Sequence, residues 1–343
     1  MARHRHRRKR QSGKHKKLKK ALIIIGSILL FFIIVIDAGI IYFLGSMTRV
    51  KINKDNLDVV EPSPDTFPDL DLDSLGDNIV NIALFGVDTR DSSAAFGDQG
   101  RSDSIIILSV NKTDNTLKMI SVLRDSKVPI DGYDPQKINA AYKYGRAPLA
   151  IRTLNKNFKI NISDYVTVDF GQLEKVIDLL GGVEVQLTGE EAEKVNQIAS
   201  EAMGYNGWDA QEGVNILNGA QAVSFSRIRS IDSDYYRAGR QRAVMEAIFK
   251  KMRTKSVREY PSLIRDMLSC VETSMSYTQI LSLATSINIR TAQTSSYTMP
   301  DPDYEENLFG GIDDTGSWVW IYDLDKAAKR IHTIIYGGNE QQK

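Results

Sequence analysis

The runs IVNIALFGVD, residues 79–88, and SIIILSVN, residues 104–111, decide the fold. Both are short, almost wholly apolar and rich in β-branched side chains, the pattern of strands buried on both faces of a sheet. LKMISVLRD (117–125) follows after the turn KTDNT (112–116) and reads as a third strand. YVTVDF (165–170) and VEVQL (183–187) add two more, separated by the helix-like GQLEKVIDLLGG (171–182). Apolar spacing of three and four residues predicts helices over 138–158, 189–203, 237–253 and 260–275. Strands alternating with helices imply an α/β or α+β sandwich of layers. The expectation is α/β, an α-β-α sandwich around a mixed central sheet, preceded by one N-terminal transmembrane helix. There is no internal repeat. The C-terminal extension, 251–343, holds two helices and the strand-like SSYTMP (295–300), with no second linker to set it apart.

Upstream of the first strand the composition changes twice. Residues 45–77 include EPSPDTFPDLDLDSLGD, rich in proline and acid without apolar periodicity, and read as an extracytoplasmic linker. Residues 21–44 are apolar apart from Asp37. At ~1.5 Å per residue they reach roughly 36 Å, enough for an apolar bilayer core of about 30 Å. That length exceeds the apolar stretch of a cleavable signal. The formal net charge of +1 hides a polar chain: residues 1–20 hold eleven Lys or Arg and no acid, whereas residues 45–343 hold 33 basic and 42 acidic side chains. The positive-inside rule therefore puts the tail in the cytoplasm and the domain 78–343 outside, in a single-pass protein of the cell membrane. The tail reads as a topology determinant touching anionic lipid rather than as a nucleic-acid arm.

Cys270 is the lone cysteine, so no intramolecular disulfide exists. In IRDMLSCV it reads as a small hydrophobe. His332 is the only histidine beyond residue 20, which removes a Ser-His-Asp triad and a His-based zinc site. Chemistry must come from carboxylates, arginines, lysines and a hard metal.

Three loops at strand ends pair an acid with an arginine: Asp88 with Arg90, Asp103 with Arg101, Asp125 with Arg124. Carboxylates so placed suit Mg²⁺ (or Mn²⁺), which fills its other positions with water and phosphate oxygens. The arginines would grip the phosphate in two-pronged hydrogen bonds. Weak surface ion pairs are the plainer reading of any one loop. SRIRSIDSDYYRAGRQR (226–242) strengthens the other reading. Arg227 and Arg229, two apart, share a side if the segment is extended, and Arg237, Arg240 and Gln241 share a helix face. With Arg90, Arg101, Arg124 and Lys137, eight cations could converge on a pyrophosphate.

In their order IALFGVDTR (82–90), GRSDSIIILSV (100–110), SVLRDSKV (121–128), KINAAYKYG (137–145), DYVTVDF (164–170), LLGGVEV (179–185), LNGAQAVSFSRIR (217–229) and SDYYRAGRQR (233–242), the motifs resemble the LytR-CpsA-Psr family of cell-envelope proteins. The resemblance spans about 79–250. It implies a membrane-anchored phosphotransferase that moves a glycopolymer, teichoic-acid-like or capsular, from a polyprenyl pyrophosphate carrier to a sugar hydroxyl of peptidoglycan with Mg²⁺. Asp88 and Asp103 match the metal positions; Arg101, Arg124, Lys137, Arg227, Arg229, Arg237, Arg240 and Gln241 match those around the pyrophosphate. Asp234 matches an acid that either orients the arginines or takes the proton of the attacking hydroxyl. Arg124, Arg229, Arg240 and Asp234 are thus the expected catalytic set. Two residues depart from the family pattern. Leu123 replaces a proline, which should only loosen a turn, and Arg146 replaces a glycine in a loop expected near the site.

The lipid needs an apolar channel, for which LEKVIDLL (173–180) and APLAIRTL (147–154) offer walls, although core packing explains both stripes equally well. The alternative function is a non-catalytic scaffold that binds polyprenyl phosphates or pyrophosphates; it needs the arginines but not the metal. A DNA-binding regulator fits poorly, because the tail lacks aromatic or helix-turn-helix organisation and the external domain is net acidic.

Overall fold

The structure, a computed structural model, describes residues 54–59, 78–88, 100–256, 258–305 and 307–337. The expected cytoplasmic tail (1–20), membrane span (21–44) and Arg90 lie outside them. Among the described residues no helix is long and apolar enough to cross a membrane.

The two opening runs form β1 (Ile79–Val87) and β2 (Ser102–Asn111), an antiparallel pair. With β3 (Thr116–Val122), β6 (Ile162–Asp169), β9 (Glu272–Thr273) and β10 (Gln293–Met299) they build a six-stranded sheet in the order β10-β3-β2-β1-β6-β9. β1 and β6 run parallel, as do β3 and β10, so the sheet is mixed. Every residue of β3 is buried, as a strand covered on both faces must be.

Side chains alternate between two cores. Phe85, Ile105, Ile107 and Ile120 point into one that includes Ile151 of α1 (Ala140–Phe158) and Ile331 of α8 (Leu324–Tyr336). Ile106, Leu108 and Met119 point the other way, toward Met245 and Phe249 of α5 (Asp234–Arg253). Beside α5 lie α2 (Phe170–Leu180), α3 (Gly189–Met203), α4 (Gly219–Arg227), α6 (Tyr260–Leu268) and α7 (Tyr277–Ser286). Helices therefore cover both faces, and the α-β-α expectation holds for the described residues. Small two-stranded ladders complete the chain: β4 (Lys127–Ile130) with β5 (Tyr133–Lys137), β7 (Val183–Leu187) with β8 (Gly213–Leu217), and β11 (Phe309–Ile312) with β12 (Trp318–Ile321).

Five features differ from the sequence reading. VEVQL is a strand, but it pairs with β8 outside the central sheet. The helix predicted over 260–275 stops at Leu268, because Glu272 and Thr273 pair with β6 as an edge strand. LNGAQAVSFSRIR contains α4, started by Asn218 in a capping box with Gln221, so Arg227 ends a helix rather than standing on an extended segment. Part of the expected linker is docked: Leu57 is fully buried, its carbonyl accepts from Asn155 Nδ2 at 2.8 Å, and Asp58 pairs with Arg152 at 2.6 Å. α1 breaks at Gly145 and Arg146, where Arg146 takes a left-handed φ of 54° and reaches Glu272 of the edge strand at 2.7 Å. That ion pair lies among the groups of the α1 side, where Tyr165 also donates to Glu272 at 2.9 Å, so Arg146 is not a wall of the site described below.

Candidate functional site

The site starts from an irregularity in the sheet. β1 and β2 pair Gly86 with Ser104 but Val87 with Ser102, which leaves Asp103 as the extra residue of a bulge. A Cβ on Gly86 would come within 2.9 Å of Ser104 Cβ, so only glycine lets the strands approach there. The bulge aims Asp103 at the turn that ends β3. Both of its oxygens are engaged, one by Arg124 and the other by Arg229 at 3.2 Å.

Arg124 is the hub. Its guanidinium also lies 3.4 Å from Asp234 and 3.6 Å from Asp125. Asp125 in turn holds Lys137 at 2.9 Å. Asp234 opens α5, where the positive end of the helix dipole favours a carboxylate, and pairs with Arg237 one turn on at 2.5 Å. The turn carrying Arg124 is fixed by Leu123 N–H, which donates to Met299 O at 2.8 Å, and by Asn139 N–H, which donates to Arg124 O at 3.2 Å. Leu123 therefore does more than loosen a turn: it supplies a donor that proline lacks.

Four cations and three carboxylates are thus interleaved, with one positive charge in excess. Arg237 is 2 % exposed, yet its Nε and Nη1 have no hydrogen-bond partner among the described residues. Burial lowers its pKa to about 10, so it keeps its charge at neutral pH. Burial raises Asp234 above the ordinary aspartate range, against the opposing pull of Arg237 and Arg124. A buried cation with idle donors is costly unless an anion completes it.

Next to this cluster lies an apolar cavity of about 180 Å³ between the sheet and the α2–α5–α6 layer. Leu84, Val166, Leu173 and Met245 form walls; Ser226 and Gln241 stand among the few polar groups. LEKVIDLL therefore contributes a wall through Leu173 and Val176. APLAIRTL does not: Ala147, Ala150, Ile151 and Leu154 pack in the core across the sheet.

Of the expected site residues, Asp103, Arg124, Lys137, Arg229, Asp234 and Arg237 come together. Asp88 follows β1 at the same end of the sheet as Asp103. Arg101 is exposed there. Gln241 faces the cavity, and Arg227 lies over the Phe170 ring at 4.8 Å, so Arg227 and Arg229 diverge. Arg240 turns aside: it is held by Asp232 at 2.6 Å, by Glu191 at 3.4 Å, and it donates to Ile228 O at 3.0 Å. Expected in the catalytic set, it braces the loop carrying Arg229 among the described residues. The sequence marks Asp125 as one of the three loop carboxylates but not as a partner of Lys137, and no motif marks Trp318 or Trp320. Cys270 is buried as expected.

No group of three or more metal-ligating side chains occurs among the described residues. Asp88 and Asp103 still offer two hard carboxylates from adjacent strand ends, a donor set that suits Mg²⁺ only if water and phosphate oxygens complete it.

The α/β sandwich thus carries an arginine–carboxylate cluster beside an apolar cavity. The family model for the LytR_cpsA_psr family matches residues 41–333, and the chain belongs to that family. It is 29 % identical over 338 residues, 96 % of this chain and 97 % of the relative, to the polyisoprenyl-teichoic acid–peptidoglycan teichoic acid transferase TagU of Oceanobacillus iheyensis. It is 33 % identical to the TagU of Halalkalibacterium halodurans over 68 % of this chain and 73 % of the relative. The fold matches Bacillus subtilis TagV at a TM-score of 0.60 and 24 % identity, covering 75 % of this chain and 97 % of that one. It also matches TagT with bound octaprenyl pyrophosphate lipid at a TM-score of 0.56 and 22 % identity, covering 76 % and 92 %.

Proposed function

We propose that the protein is a membrane-anchored phosphotransferase that moves a glycopolymer from a polyprenyl pyrophosphate to a sugar hydroxyl of peptidoglycan. The observation that carries this reading is Arg237, buried with two idle donors beside Arg124 and Arg229, at the edge of an apolar cavity. A diphosphate beside Arg124 and Arg229 would neutralise the cluster's excess positive charge while its prenyl chain entered the cavity. The TagU relatives, transferases by name, support the same reaction class.

The acceptor hydroxyl attacks the phosphorus that bears the glycopolymer, and the bond from that phosphorus to the bridging oxygen breaks. Polyprenyl monophosphate leaves, and the polymer ends up on the acceptor as a phosphodiester. Charge on the non-bridging oxygens falls to Arg124, Arg229 and Arg237, placed before the reaction by Asp103 and Asp234. Asp234, made more basic by burial, takes the hydroxyl proton. Asp88 and Asp103 would hold Mg²⁺, which when bound supplies further neutralisation of the phosphate oxygens. The domain acts on the outer face of the membrane, anchored by residues 21–44.

Arg237→Ala should lower release of polyprenyl phosphate from a lipid-linked donor by about 10²–10³-fold, roughly 3–4 kcal/mol of transition-state stabilisation. Turnover within twofold of the parent, in a variant that folds, would defeat the assignment. Asp103→Asn separates catalysis from scaffolding: transfer should vanish with lipid binding retained.

A further inference from the structure

On the other side of the cluster from the cavity lies an open cleft of about 710 Å³. Its walls are Arg124, Asp125, Asp234, Tyr236, Trp318 and Trp320, with Asp303 at the rim. The two tryptophans alternate along β12 and so share one face of the hairpin, meeting edge-on at 4.9 Å and 87°. Gly310 across the strand pair makes room for the Trp320 ring, since a Cβ there would come within 2.7 Å of it. The hairpin is pinned to the phosphate site: Trp320 N–H donates to Asp125 O at 3.0 Å, and Lys127 holds Asp313 at 2.8 Å. Trp318 is 40 % exposed and Tyr236 61 %, while Trp320 Nε1 is buried with no partner among the described residues.

We propose that this cleft is the subsite for the acceptor glycan strand. Flat aromatic faces beside carboxylates in a wet, open cleft suit sugar rings, which stack their C–H faces and present hydroxyls to acceptors around the edge. The polar, open walls disfavour a lipid tail. The inference rests on the transfer reading above, and helix α5 supplies its direction. Ser233, Asp234, Tyr235 and Tyr236 face the cleft, Arg237 lies in the cluster, and Gln241, Val244 and Met245 face the cavity. Seven residues from Asp234 to Gln241 span about 10 Å at ~1.5 Å each, so the helix sets the cleft and the cavity at successive levels along one axis. An in-line displacement puts the attacking hydroxyl opposite the leaving oxygen. With the prenyl phosphate leaving toward the cavity, the attacker enters from the cleft.

The test uses the full chain in detergent, a lipid-linked donor, and undecorated peptidoglycan strands as acceptor. Trp318→Ala should raise the acceptor KM about tenfold, the size of one lost stacking contact, with the donor KM unchanged. Trp318→Phe should restore it. In a Trp208→Phe background, which leaves only Trp318 and Trp320 to report, chitohexaose should quench the fluorescence saturably without donor present. An unchanged acceptor KM in Trp318→Ala overturns the proposal. So does a rise in donor KM alone, which would give the cleft to the donor's sugar. If the parent chain released no polyprenyl phosphate, the transfer reading would fall, while the fluorescence titration would still report whether the cleft holds a saccharide.

Discussion

Asp234 is where burial and charge oppose each other most directly. Two arginines favour its ionised form, yet desolvation wins and leaves it more basic than an ordinary aspartate. A proton acceptor works only when ionised. Activity should therefore be present above its raised pKa and fall as the medium is acidified through it, with kcat declining at a pH above the ~3.9 of a free aspartate side chain. Asp234→Asn should cost about 10²–10⁴-fold in kcat and remove that acid limb, as a pH–rate profile would reveal. An acid limb that stayed in place in the variant would assign it to another group. Arg240 follows a different logic. Its bonds go to Asp232, Glu191 and the Ile228 carbonyl, so truncation should act through displacement of Arg229.

At the scale of elements, α4 links folding to the site. Asn218 accepts from Gln221 N–H at 3.0 Å at one end, and Ser226 and Arg227 at the other meet the cavity and the Phe170 ring. Asn218→Ala should destabilise the domain by about 1 kcal/mol, visible as a lower urea midpoint at an unchanged slope. No change in midpoint would mean the cap is idle. The bulge at Asp103 and the docked segment at Leu57 are further element-level devices, one aiming a carboxylate and the other closing the α1 core.

For the whole molecule, His332 joins α8 to the end of α1 through Lys159 O, 2.6 Å from its Nε2. Burial pulls its pKa from 6.5 to about 4. Between those values the unfolded chain binds more protons than the native one, so stability rises with pH across that window. The contribution is present above 6.5 and is lost as pH falls toward 4, a difference of about 3 kcal/mol. Thermal unfolding followed from pH 7 to 4 should show the loss, and His332→Gln should flatten it. An equally steep fall in that variant would trace it to other groups.

Strands β1, β2, β3 and β6, the helix 189–203 and the acid–arginine loops are legible from local pattern alone, because each is signalled by neighbours within one turn or one strand. The sequence motifs also named most of the cluster, since Asp103, Arg124, Lys137, Arg229, Asp234 and Arg237 sit in recognisable order. Which arginines stand together is set by long-range packing that the motifs do not encode. Arg240 and Arg237 share a helix face in sequence, but Arg240 is drawn to Asp232 and Glu191 whereas Arg237 pairs with Asp234 inside the cluster. Likewise Trp318 and Trp320 gain meaning only when the Asp125 carbonyl pins their hairpin beside Arg124, a meeting of segments nearly two hundred residues apart that local pattern cannot encode.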